Sequence, residues 1–199
     1  MPAALLAQAL ALAAASGVSV YATVALLGLA SQLGWIGALP GGLEAVSSWW
    51  IIGLAATLYT VEFLATLIPG VASLWETVHA FIRPVAGAGV AAATVWGDTG
   101  PGITIAAALL GGTLALGSQA TKLGARVAID ASPEPVSNGA ANVAELGFVG
   151  VVALVLWEHP WIALTLAVTT TVVIALLVRT VWRAARRALG TPGRRSRRR

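Results

Sequence analysis

Apolar runs approaching ~20 residues, the length a helix needs to cross ~30 Å of hydrocarbon, follow one another along most of this chain. Such runs predict an all-α fold: a polytopic membrane helix bundle of about six transmembrane helices. Composition agrees. Hydrophobic residues make up 58% of the 199 residues and charged ones only 10%, whereas soluble domains carry ~25% charged residues. The chain outside the runs is too short for a second soluble domain. The expected division is a transmembrane helical domain over residues 1–190 and a basic cytoplasmic tail over 191–199.

The first run, residues 3–33, is longer than one span needs. Gly17 interrupts it, so it reads either as one long tilted helix or as two pieces broken at the glycine. Ala13-Ala14-Ala15 also offers small residues for cleavage of a secretory leader, but no Lys or Arg precedes the run to form a basic n-region. Further spans are expected over residues 49–68, ending at Pro69-Gly70; 84–96, opened by Pro84; 103–121; 135–157; and 161–178. The last continues as helix to Gly190, where Gly and then Pro192 stop it. The third is short, about 14 residues or ~20 Å.

Six spans with a cytoplasmic C-terminus place both termini inside, together with residues 69–83 and 122–135. All twelve Lys and Arg residues then fall on that side: Arg83, Lys122, Arg126 and the nine from Arg179 onward. The outer turns carry Glu44, Asp98 and Glu158, which is the pattern of the positive-inside rule. Trp35, Trp49, Trp96, Trp157 and Trp161 fall near the outer ends, where indoles favour the interface.

Arg83-Pro84-Val85-Ala86-Gly87-Ala88 and Glu134-Pro135-Val136-Ser137-Asn138-Gly139 read as similar inner loops, and Ala65-Thr66 pairs with Ala120-Thr121. They suggest a parallel internal repeat. The alternative is that proline commonly begins helices. The stretch from Leu58-Tyr59-Thr60-Val61-Glu62 through Ile68-Pro69-Gly70-Val71 to Trp75-Glu76-Thr77-Val78-His79-Ala80-Phe81-Ile82-Arg83-Pro84, with Ala131-Ser132-Pro133-Glu134-Pro135-Val136-Ser137-Asn138, Ala144-Glu145 and the early Gly17-Val18-Ser19-Val20-Tyr21, resembles a bacterial integral membrane protein family of unknown function, domain of unknown function 4126. The resemblance implies a helical membrane fold and a bacterial inner (plasma) membrane location, and brings no activity. In that family an acid–lysine pair commonly precedes the Ile-Pro step; Ala65, Thr66 and Leu67 occupy that region in this chain.

Glu62 and Glu145 fall inside spans. A charge in hydrocarbon costs at least ~2.5–3.5 kcal/mol, so such residues face the bundle interior and mark function by default. Lys122 and Arg126, one turn apart, are candidates for their countercharge. Together the four form a candidate intramembrane polar site; the alternative is a set of structural polar contacts. Glu76, His79 and Arg83 recur at three- and four-residue spacing on a short amphipathic helix. With Ser137 and Asn138 at the start of the fifth span they make a candidate inner-loop site. The competing reading is an interfacial helix whose polar side faces water, with Ser132, Ser137 and Asn138 as caps. Gly87-xxx-Ala91, Gly89-xxx-Ala93 and Gly111-xxx-Ala115 place small residues for close helix packing.

Cysteine is absent, which removes thiolate metal sites and disulfides. His79 and His159 are expected on opposite sides of the membrane. No catalytic residue, metal or cofactor is expected, and the chain does not read as an enzyme. The leading function is a small-solute or ion permease or channel; the alternative is a non-transporting scaffold or lipid-interacting protein. Expected partners are the lipid bilayer and, at the basic tail, anionic lipids. A homo-oligomer is allowed, and no nucleic acid is expected.

Overall fold

The computed structural model describes residues 2–68, 71–130 and 135–189. The expected stops at Pro69-Gly70, at Gly190 and at Pro192, the cap candidate Ser132 and the tail 191–199 lie outside these residues. The chain forms α1 (Pro2–Val18), α2 (Val20–Gln32), a short 3-10 helix (Gly41–Ser47), α3 (Trp49–Leu67), α4 (Val71–Val95), α5 (Pro101–Asp130), α6 (Pro135–Glu158) and α7 (Pro160–Leu189). Among the described residues there is no strand. Within α3 to α7, five stretches are long and apolar enough to span a bilayer: Trp49–Leu67, Leu74–Val95, Pro101–Val127, Val136–Glu158 and Pro160–Arg183. The polytopic helical bundle expected from the apolar runs is the fold found.

The first run does not cross as one helix. It breaks at Ser19, whose extended backbone (φ −153°, ψ 109°) caps α2, its Oγ accepting from the Ala22 amide. The neighbours then show which way each piece runs. Ala9 and Ala13 pack with Ala91 and Val95 of α4 and Ala107 of α5, and Gly17 lies against the Ala115 backbone, so α1 runs parallel to α5. In α2, Ser19 meets Glu62 while Gly28 meets Val46 and Ile52, so α2 returns antiparallel to α3. Thus α1 and α2 form a helical hairpin with its tip at Ser19, inside the bundle. The starts of α1 and α3 share one end, and α7 finishes at the other. A single crossing by residues 3–33 would have put the start of the first helix and the end of the last on one side; the hairpin places the start of α1 and the end of α7 at opposite ends.

α1 carries only two polar side chains, Gln8 and Ser16, and is enclosed by α4, α5, α6 and α7, as expected for a helix without a continuous polar face. Residues Ala13 to Ala15, the would-be cleavage site, are completely covered. Close approach depends on the small residues. A Cβ at Gly111 would overlap that of Ala91, and one at Gly87 would overlap that of Ala115. Gly89 borders open space, while Ala93 of the same pair lies against Gly42 of the 3-10 helix.

The short third span proves to be the second half of α4, which begins at Val71 and runs through Pro84 without ending. Arg83-Pro84 therefore stands mid-helix while Pro135 opens α6, and the two motifs are not equivalent loops. Nor is 75–83 a surface helix with its polar side in water. Glu76, His79 and Arg83 are buried, and Leu74, Val78, Phe81 and Val85 are exposed. Lipid as the outer medium explains this inversion, because charge turns inward and apolar groups turn outward.

The exposed Trp49, Trp96 and Trp161 stand where α3 starts, α4 ends and α7 starts, at one end of the bundle. At the other end α7 carries Arg186 and Arg187 in its last turn, the Arg186 guanidinium 5.2 Å from the Trp182 ring centre.

Candidate functional site in the bundle interior

Three helices carry a polar stripe at a spacing that keeps it on one face: Glu76, His79 and Arg83 on α4; Gln119, Lys122 and Arg126 on α5; Asn138, Asn142 and Glu145 on α6. Glu62 and Thr66 add a fourth stripe on α3. The stripes meet beside the tip of the α1–α2 hairpin.

Arg83 is fully buried and grips Glu76 through a fork, Nη1 to Oε2 at 2.7 Å and Nη2 to Oε1 at 3.3 Å. Its Nη2 also donates to Glu62 Oε1 at 2.5 Å, and its Nη1 to Gln119 Oε1. Gln119 Nε2 donates in turn to Glu76 Oε2 at 3.2 Å. Lys122 Nζ lies 3.1 Å from Glu62, 3.3 Å from Glu76 and 3.0 Å from Glu145. Arg126 binds Glu145 Oε1 through Nη2 at 2.8 Å and Nε at 3.2 Å, and also reaches Asn138 and Asn142. Among the described residues, three carboxylates and three bases thus form one neutral network. Isolated buried ions are costly, and this pairing is what lets them remain charged.

The hairpin tip takes part. Ser19 Oγ donates to Glu62 Oε2 at 2.9 Å, and the Val18 carbonyl accepts from Lys122 Nζ at 2.9 Å. Because α1 ends there, that carbonyl is a helix-terminal acceptor, and the negative end of a helix dipole favours a cation. Beside the network, His79 Nδ1 lies 2.8 Å from the Trp75 carbonyl. A carbonyl only accepts, so Nδ1 bears a proton; in the neutral ring Nε2 then accepts from the Tyr21 hydroxyl at 3.1 Å. The Trp75 ring stacks on the imidazole.

Two cavities flank Arg126. One, of about 280 Å³, lies among α5, α6 and α7 and is lined by Val18, Lys122, Arg126, Glu145, Phe148 and Thr171 among others. The second, of about 190 Å³, includes Thr66, Glu76, Arg126 and Asn138 in its wall, near the end where α3 leads to α4 and α5 to α6.

All four residues of the expected intramembrane set, Glu62, Glu145, Lys122 and Arg126, come together. Glu76, Arg83 and Asn138 join them, so most of the expected inner-loop site belongs to the same centre. His79 stands at its edge, and the half-buried Ser137 lies outside it. The sequence reading missed Ser19, Thr66, Gln119 and Asn142. The i, i+3, i+7 spacing ending in Lys122 and Arg126, and the i, i+4, i+7 spacing ending in Glu145, would have marked Gln119 and Asn142. Since Arg83, Lys122 and Arg126 are interior partners of carboxylates, they are not loop charges, and the basic bias of the chain rests on the nine arginines from Arg179 onward.

The family described as "Domain of unknown function (DUF4126)" matches residues 6–180. That span takes in every helix that builds the centre. No curated protein and no solved structure matches the chain.

Proposed function

This chain belongs to the family of domain of unknown function 4126 and is a membrane protein by its apolar helices; from that premise we propose that it is a small-solute or ion permease whose pathway passes through the six-charge centre. The observation that carries this reading is the helical hairpin α1–α2, which ends inside the bundle with its tip on Glu62 and Lys122. Non-helical backbone at membrane depth is tolerated where it is enclosed by protein or lines a cavity, and broken helices meeting at ion and substrate sites are a recurring device of secondary transporters. Cavities on both sides of Arg126 support the same reading. No enzyme role is proposed.

The test is flux. In liposomes containing the purified chain, uptake of labelled rubidium, chloride, lactate or glycine is expected to exceed that of protein-free liposomes for at least one probe. Glu62→Gln and Glu145→Gln are expected to cut that uptake by about tenfold or more, as functional intramembrane carboxylates do, with the detergent-solubilised fold intact. No uptake of any probe by the unmodified protein would count against transport. The second reading, a non-transporting scaffold or lipid-interacting protein, draws on the exact balance of charge: each carboxylate has a cation within 3.3 Å. Unfolding of both variants, with no flux before substitution, would favour it.

For orientation we propose that α7 ends in the cytoplasm of an inner-membrane protein, its arginines held by anionic lipid at about 1 kcal/mol each. The start of α1 is then outside. Because the chain has no cysteine, single cysteines report cleanly. Ala3→Cys and Asp98→Cys are expected to react with an impermeant maleimide in intact cells, and Thr191→Cys only after lysis. Protection of Ala3→Cys alone would refute the hairpin.

A further inference from the structure

Lys122 has more acceptors than it can serve. Its ammonium carries three protons, yet four oxygens lie within 3.3 Å: the Val18 carbonyl, Glu62 Oε1, Glu76 Oε1 and Glu145 Oε2. Three of these belong to groups packed deep in the bundle. The fourth belongs to Glu145, whose side chain is 20% exposed where those of Glu62 and Glu76 are 4% and 3%. Glu145 can therefore leave without stripping Lys122 of a full set of partners. Among the described residues Arg126 has no such reserve. Apart from Glu145, its acceptors there are the amide oxygens of Asn138 and Asn142, so departure of Glu145 leaves its guanidinium facing neutral groups.

The space for that anion exists. The cavity of about 280 Å³ is bordered by Lys122, Arg126 and Glu145, by the hydroxyl-bearing Ser118 and Thr171, and by Phe148. Its volume lies just below the ~300 Å³ at which pockets for drug-sized ligands begin, ample room for a small organic anion. A planar carboxylate matches the Arg fork, and the apolar wall suits a short carbon chain; the Ser118 and Thr171 hydroxyls meet each other at 3.3 Å, and Thr171 donates to the Ala167 carbonyl at 2.8 Å.

We infer that this cavity binds a small monocarboxylate, which replaces Glu145 on Arg126 while Glu145 takes up one proton from water. Charge balance requires the proton. Counted over the described residues, the centre holds three acids and three bases, so a monoanion brings it to −1, and conversion of the Glu145 carboxylate to the carboxylic acid returns it to zero. Glu145 is faced by Lys122 and Arg126 from α5, and its charge reaches Tyr59 on α3 and Arg83 on α4; Glu62 joins them through Lys122, and α7 lines the cavity beside it with Thr170, Thr171 and Ile174. This names a substrate class for the proposed permease and rests on that reading only for movement across the membrane: the anion and its proton travel together.

The experiment uses the purified full-length chain in detergent, with lactate as probe and lactamide as its neutral isostere. Lactate, and not lactamide, is expected to raise the thermal midpoint, the more so as pH falls. In weakly buffered solution about one proton is expected to be taken up per lactate, the amount neutrality of the buried centre demands. Glu145→Gln is expected to keep lactate binding without proton uptake, and Arg126→Lys to weaken it by about tenfold or more because the fork is lost. Equal effects of lactate and lactamide would overturn the proposal, as would lactate binding by the unmodified protein without proton uptake, a result that needs no variant to fold. Binding as stated without flux would uphold the site and sink the permease reading. Rubidium, chloride or glycine flux without lactate binding would do the reverse.

Discussion

Arg83→Met is expected to cost about 3–5 kcal/mol of stability, the usual penalty for leaving a buried charge without its partner. Arg83 is fully covered and joins Glu62, Glu76 and Gln119, three helices held by one guanidinium. Methionine fills much of the space but offers no donor, so two carboxylates are left to share Lys122. The deficit is one of charge rather than volume. Arg83→Met combined with Glu76→Met leaves Glu62 and Glu145 against Lys122 and Arg126, again neutral, and is expected to recover more than half of the loss, since buried ion pairs are often replaceable by apolar residues. Unfolding in mixed detergent micelles, run as a double-mutant cycle, measures the coupling. A double variant as unstable as the sum of the two singles would show that packing, and not pairing, is what Arg83 supplies.

Gly111→Leu is expected to disrupt assembly for a steric reason independent of charge. An added Cβ at residue 111 would overlap the Ala91 Cβ and stand 3.2 Å from that of Ala13, so α1, α4 and α5 cannot all keep their positions. Forcing bulk into a packed core costs typically about 1–3 kcal/mol and more where backbones must separate. The contact partners are themselves alanines and cannot turn aside. Gly89→Leu is the control, because open space surrounds that position; it is expected to change the thermal midpoint in detergent little. Similar losses at Gly89 and Gly111 would remove the basis for reading the α1–α4–α5 junction as a close contact.

Much of the site could be read beforehand, for one physical reason. A charge within an apolar run has nowhere favourable to go except the protein interior, so Glu62 and Glu145 identified themselves without coordinates. Lys122 and Arg126 followed as countercharges. Spacing places Glu76, His79 and Arg83 on one helix face but does not say what that face meets. A polar face on a helix turns to water or to a buried partner according to what surrounds it, and periodicity alone is the same in both cases. Proline misled in a similar way: Pro84 satisfies the rule for a helix start, but packing against α5 carries α4 through it. Ser19 gives only a weak signal, since serine caps many helices, and what gives it consequence is its 2.9 Å contact with a carboxylate 43 residues away.

The amino-acid order alone determined that the chain enters lipid as helices, because its apolar runs are long and its charge is scarce, and it marked which acids and bases had to be hidden. Tertiary structure decided how they are hidden. It turned the first run back on itself at Ser19, enclosed α1, and drew Arg83, Lys122 and Arg126 out of presumed loops into a single neutral centre. Hydrophobic pattern marks which residues share a face, whereas what that face meets and which partner it takes depend on helix direction and register, and these are settled only when small residues such as Gly87 and Gly111 let the helices meet.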